Sequence, residues 1–208
     1  EMNSFNGASQ KKYIDPSFLT QIENVAKRNQ TTLFNLYRAV IGVILHKWTN
    51  QNQVVIGTPV AGRSHHQLND QIGLFINTLP LISNYNGEAV FKDYLSQTSS
   101  DSLNVFKFQD YPLDLIVEES NITRDTARNP LFDVMMVVQN TALGDGTIDV
   151  KNQHGFLLND IEEFYKEGEI VERNDISAKL DLSFYFAVDT NGRYFIDIEY
   201  KTKLFKKA

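Results

Sequence analysis

Residues 131–140, LFDVMMVVQN, are apolar on both strand faces for much of their length. A strand apolar on one face can lie between a core and water. One that is apolar on both must be covered on both, so it belongs inside a sheet with other layers packed on it. The flanking sequence supplies those layers. Asp15-Pro16 is a helix start, an acceptor at the cap followed by a pre-set φ, and Phe18, Ile22, Val25 and Ala26 then recur at helical spacing through about Arg28. Thr31 or Thr32 caps a second helix carrying Leu33, Leu36, Tyr37, Val40, Ile41, Ile44 and Trp48; it is apolar around most of its girth and reads as buried.

Gln53 to Thr58 reads as a buried strand, and LFINTLPLI, 74–82, as a second strand whose Pro80 argues for an edge or a bulge. Ala89 to Phe108 forms an amphipathic pattern with Phe91, Tyr94, Leu95, Leu103 and Phe106 on its apolar side, and Pro112 restarts a helix through about Glu119. From Thr141 to Ala178 the pattern loosens into Gly, Asn, Asp and Glu, as a loop-rich region with weak strand or helix pieces does. KLDLSFYFAV and YFIDIEYKT then flank Asp189-Thr190-Asn191-Gly192, a hairpin signal because Asn-Gly tolerates positive φ. The order predicts an α/β (α+β) sandwich, a mixed β-sheet with helices on one side. With no repeat and no interior linker, residues 1–208 read as one compact unit.

Composition removes whole classes of function. The chain has no cysteine, which excludes disulfides, thiolate catalysis and cysteine zinc sites. His46, His65, His66 and His154 leave too few soft ligands for a metal site. The net charge is −6 with lysine and arginine scattered, so no basic stripe points to nucleic acid and no basic amphipathic helix to a membrane surface. The longest apolar stretch, Val40 to Leu45, is far too short to span a bilayer, and a reducing, cytoplasmic setting is expected. One stretch does spell chemistry: GRSHHQLND, 62–70, in which His65, His66 and Asp70 resemble a base with an orienting carboxylate. Its flanks, Ser64, Gln67 and Asn69, are those of a solvated loop, whereas a catalytic imidazole needs a rigid, partly desolvated setting.

Four stretches in fixed order are more specific: VVIGTPVAGR (54–63), IGLFINTLPL (72–81), FQDYPLD (108–114) and RDTARNPLF (124–132). With TLFNLYRAVIGVILHKWTNQNQ upstream and AKLDLSFYF and IEYKTKLF downstream, they closely resemble the C-terminal half of the condensation domains of nonribosomal peptide synthetases. The resemblance implies one lobe of a chloramphenicol-acetyltransferase-like fold. In the whole domain two lobes enclose a tunnel, and carrier proteins bring thioesters on phosphopantetheine arms. The acceptor amine attacks the donor thioester to form a peptide bond. The implied partners are an N-terminal lobe of the same domain, peptidyl carrier domains and an adjacent adenylation domain, with no cofactor bound directly. The family's two-histidine motif, closed by Asp-Gly, belongs to the other lobe. Here Gln71 stands where that glycine would, and no catalytic residue is expected in this chain.

The resemblance also distributes roles. Gly57 and Pro59 would let the backbone turn tightly at the strand end, in the region of the tunnel-floor loop. Gly57, Thr58 and Phe75 would lie on the tunnel's acceptor side, and Gln139 would stand with Asn140 where the lobes meet, ahead of a crossover loop. Asn77 would hold a thioester carbonyl or the pantetheine arm; alternatively it is a strand asparagine satisfying a bulge near Pro80. Arg63 would anchor its loop through a carboxylate, or is a surface arginine. Asp110 near the cap and Pro112 near the first turn would build a helix start, and Arg128 and Asn129 would order the entry to the central strand. Ile82 and Phe108 depart from the family, which usually has arginine, and histidine or asparagine, there; Asp114 replaces a common glutamate. Both ends look cut from a longer protein, so the chain alone is expected to be inactive and prone to self-association. The alternatives are a small self-contained acyltransferase using His65, His66 and Asp70, or a non-catalytic carrier-docking module.

Overall fold

The computed structural model describes residues 5–68, 70–122, 128–139, 170–189 and 191–206. Contacts divide the chain into two units, Ile22–Met136 and Phe5–Gln21 with Val137–Ala208, where the sequence shows no linker to suggest a division. Among the described residues no helix is long and apolar enough to cross a membrane.

The first unit is built on a mixed sheet. β2 (Gln53–Val60) and β3 (Asn77–Asn84) pair antiparallel from Gln53 opposite Asn84 to Val60 opposite Asn77. β4 (Val134–Val138) lies parallel to β2 at Ile56 and Gly57. β3 is the outer strand of the order β3-β2-β4, which is why Pro80 fits in it: an edge strand has one side where a missing N–H breaks no ladder bond. Alternation puts Leu79, Leu81 and Ser83 on one face of β3, beside Ile56 and Thr58 of β2, and all five are buried. Ile82, pointing the other way, is exposed.

Helices cover the buried face. α1 (Pro16–Arg28) starts as expected, with Asp15 Oδ1 accepting from the Ser17 amide at 2.8 Å and the Phe18 amide at 3.3 Å. α2 (Leu33–Thr49) is capped by Thr32, whose hydroxyl accepts from the Asn35 amide at 3.2 Å, and ends on Asn50 with φ +55°. α3 (Phe91–Phe106) lies against α2, and Ala26, Leu36, Ala39, Tyr94 and Leu95 form one core cluster with Ile22 packed on it. Phe18, Val25 and Leu103, expected on apolar faces, are exposed instead. In α3 the inward positions go to Thr98 and Ser102, because both meet Arg38, a buried cation that apolar periodicity on α2 passes over.

The second unit orders its strands β6-β7-β1-β5, all antiparallel: β6 (Leu182–Val188), β7 (Tyr194–Lys201), β1 (Asn6–Tyr13) and β5 (Ile170–Ser177). The expected hairpin joins β6 and β7, with Gly192 at φ +79° and Asp189 Oδ1 accepting from the Asn191 and Arg193 amides at 2.9 and 2.8 Å. Thr190 lies outside the described residues, as do Asn140 and the loop-rich stretch up to residue 169. β1 has no apolar alternation to announce it, because one of its faces is polar by design. Ser9 accepts from Arg173 Nε at 3.2 Å, and Arg173 pairs with the buried Asp197 at 2.6 Å.

Glu199, on β7 directly opposite Ser9, shares that face. Burial, and then the neighbouring Asp197, raise its pKa above the ordinary 4.5. The folded state thus holds this proton more tightly than the unfolded chain. Its contribution to stability therefore falls as pH rises from about 4.5 through the raised value, then stays level. Glu199→Gln removes that loss. In thermal melts across this range the variant should match the parent at low pH and exceed it at neutral pH; a constant offset at every pH contradicts the assignment.

Candidate functional site

The chemistry-bearing stretches of the first unit gather at the open end of the β2–β3 hairpin. Between Val60 and Asn77 the chain makes an excursion that closes on itself. Gly62 has φ +62°, and a Cβ there would stand 1.7 Å from the Phe75 carbonyl oxygen, so only glycine permits the return of the loop. Arg63 lays its guanidinium over the Phe75 ring, 4.4 Å from the centroid, and Nη1 donates to the Leu68 carbonyl. Arg63 thus contacts a carbonyl and an aromatic face within its own loop, where the sequence suggested a carboxylate. A short 3₁₀ turn, His66–Leu68, forms the outer part of the excursion. His65, His66 and Asp70 are all exposed on it, and Asn69 lies outside the described residues.

Asn77 sits where the excursion rejoins the sheet. Its Nδ2 donates to the carbonyls of Gln109 and Tyr111, both at 2.8 Å, and its Oδ1 accepts from the Leu113 amide at 3.3 Å. A side-chain amide has two donor hydrogens, and both are spent on the 109–111 turn. The acceptor side supplies what α4 (Leu113–Glu119) lacks locally, since Pro112 occupies the N-cap and has no side-chain oxygen to offer. Asp110, expected near that cap, is exposed, and the first free helical N–H is satisfied from β3 instead. Tyr111 closes α4 from outside by donating to Glu119 Oε1 at 2.6 Å; this bond raises the phenol pKa. Asn77 therefore ties INTLPL to QDYPLD, two stretches the sequence leaves unconnected.

A second contact shapes the middle of β2. Gly57 is buried, and a Cβ there would meet the Phe132 ring at 2.4–2.7 Å. Thr58, next along, is buried on the opposite face, level with Leu79. Arg128 pairs with Asp133 just before β4, which fits an ordering role at the strand entry; Asn129 is exposed. Gln139 belongs to the other unit, where its amide donates to the Phe186 carbonyl at 2.8 Å and its side chain is exposed. The structure thus brings Arg63, Phe75, Asn77 and Pro112 to one end of the hairpin and sets Gly57 against Phe132.

Around this end several large apolar side chains face solvent. Ile72 is 104% exposed, Leu74 91% and Phe108 73%, and Ile76 and Tyr111 flank the Asn77 bonds on the surface. Periodicity marks such residues as apolar but does not say that they stay uncovered. Among the described residues no group of three or more acidic or histidine side chains is placed to hold a metal.

The family model for the condensation domain matches residues 1–208. Tyrocidine synthase 2 of Brevibacillus parabrevis is 34% identical over 206 residues, which are 99% of this chain and 5% of that protein. Surfactin synthase subunit 1 of Bacillus subtilis (strain 168) is 32% identical over 212 residues, 100% of this chain and 5% of that protein. This chain thus spans about one twentieth of these curated relatives. The crystal structure of a four-domain nonribosomal peptide synthetase bound to AMP and glycine superimposes with a TM-score of 0.79 at 25% identity, over 97% of this chain and 15% of the other. The X-domain from teicoplanin biosynthesis shares the fold, with a TM-score of 0.73 at 15% identity, over 99% of this chain and 44% of the other.

If Asn77 is the clamp, Asn77→Leu leaves two carbonyls and one N–H to water and should cost about 1–3 kcal/mol. Asn77→Asp keeps the acceptor for Leu113 but loses both donors and should also be destabilised. Thermal melts of both variants check this; two melts at the parent temperature would remove the clamp. Gly57→Ala, which drives a methyl into the Phe132 ring, should cost about 1–3 kcal/mol in the same assay.

Proposed function

Because the chain belongs to the condensation domain family, we propose that it supplies the acceptor-side lobe of such a domain in a nonribosomal peptide synthetase. In this reading residues 1–208 form one lobe, and the other lobe brings the catalytic histidine motif. The observation that carries it is the position of the only adjacent histidines in the sequence, His65 and His66. Both are exposed on a surface turn, where an imidazole is neither held rigid nor desolvated as general-base work requires. A self-contained acyltransferase built on His65, His66 and Asp70 is disfavoured by the same fact.

The reaction proposed for the full domain is attack of an acceptor amine on a donor thioester carbonyl. The C–N bond forms, the C–S bond breaks, and the thiol of the donor's phosphopantetheine arm leaves with a proton. That arm arrives on a carrier domain, and the acceptor's on a second one; an adenylation domain would load them, all within the cytoplasm. In this chain Gly57 and Phe75 would shape the tunnel floor, Thr58 would support it from the buried face of the same strand, and Gln139 would border the crossover loop, which lies outside the described residues. Asn77 acts in this reading as a positioning residue. With both its donors engaged, it fixes the 109–113 turn rather than gripping a thioester. The exposed Ile72, Leu74 and Phe108 fit a surface that a second lobe would cover, and they predict self-association of the chain alone.

The test is a condensation assay with loaded donor and acceptor carriers. It compares this chain, the complete domain, and the complete domain carrying His65→Ala and His66→Ala. The expected outcome is no product from the chain alone and near-parent turnover from the double variant. Product from the chain alone, or a loss of orders of magnitude in the double variant, would make the 62–70 stretch an active site and end this reading.

A further inference from the structure

The joint between α2, α3 and β3 carries polar atoms where packed helices ordinarily place carbon. Arg38, 1% exposed, stands at its centre. Its Nη1 donates to the Thr98 carbonyl at 3.0 Å and to Ser102 Oγ at 2.6 Å, and its Nη2 to the Ile82 carbonyl at 2.6 Å. One guanidinium thus pins three elements, including the strand that Asn77 holds at its other end. None of the ion pairs among the described residues involves it, and its Nε has no hydrogen-bond partner.

Three more buried atoms of this joint lack partners: Asn35 Oδ1, Ser83 Oγ and the Tyr94 hydroxyl. Their placement sorts them into pairs. Asn35 and Arg38 are three residues apart on α2 and so share a face. Tyr94 and Ser83 both close on Gly42, where a Cβ would meet the Tyr94 hydroxyl at 2.2 Å and Ser83 Cβ at 3.4 Å. Each pair holds a donor and an acceptor that do not bond each other directly. The first joins the Arg38 Nε–H to the Asn35 carbonyl oxygen; the second joins two hydroxyls, each able to play either part.

Buried polar groups are costly unless hydrogen-bonded, and internal water is the usual remedy where donors and acceptors converge. A small anion would answer the donors and the charge of Arg38. It would also place negative charge against Asn35 Oδ1, an obligate acceptor. Water answers both. We propose that this joint is a water-binding site, in which buried water links Arg38 Nε to Asn35 Oδ1 and the Tyr94 hydroxyl to Ser83 Oγ.

The sign of a stability change tests it. In a hydrated joint, Tyr94→Phe and Ser83→Ala each remove a satisfied hydroxyl and should lower Tm by about 2–4 °C. The double variant should lose less than the sum, because both hydroxyls share one water. In a dry joint each substitution deletes an unsatisfied polar atom, so an unchanged or raised Tm overturns the proposal. Exchanging sodium chloride for sodium gluconate at equal ionic strength should leave Tm unmoved. Stabilisation specific to chloride and lost in Arg38→Met would mean that an anion occupies the joint, and would overturn it too.

Discussion

One side-chain amide decides how this end of the molecule is built. Pro112 begins α4 without a side-chain oxygen, and the 109–111 turn before it presents carbonyls that no helix takes up. Both needs fall on Asn77, which meets them with two donated bonds and one accepted bond across more than thirty residues of sequence. Because Asn77 is also the first residue of β3, paired opposite Val60, the turn is referenced to the sheet itself. The apolar surface around Ile76, Phe108 and Tyr111 exists in that arrangement because the clamp holds its parts side by side.

Rigidity of this kind would suit the proposed role, a lobe that shapes a tunnel and leaves proton transfer to another part of its domain. The residues that order the hairpin end are an amide, a glycine at positive φ and an arginine stacked on a ring. None of them offers a base. In that proposal, a reaction that depends on placing two delivered thioesters would gain from such a scaffold through orientation.

What was legible from sequence follows the physics of each signal. Apolar periodicity and cap residues gave α1 and α2 nearly to the residue, since Pro16, Thr32 and their neighbours act locally. Pro80 placed β3 at an edge for the same reason. β1 went unread because its inward face is Ser9 and Lys11, which are explained only by Arg173 and Asp197 far along the chain. Arg38 was hidden by the apolar residues around it, and with it the inward turn of Thr98 and Ser102. Asn77 was recognised as a site residue, but its partners are backbone carbonyls, and no sequence pattern encodes a carbonyl.

The clamp can be observed directly by nuclear magnetic resonance. Through-hydrogen-bond couplings from the Asn77 side-chain nitrogen to the Gln109 and Tyr111 carbonyl carbons, with slow exchange of both amide protons, are the predicted result. A side-chain amide that exchanges freely and shows no coupling would contradict the central claim, because Asn77 would then be available to a ligand and α4 would be held by something else.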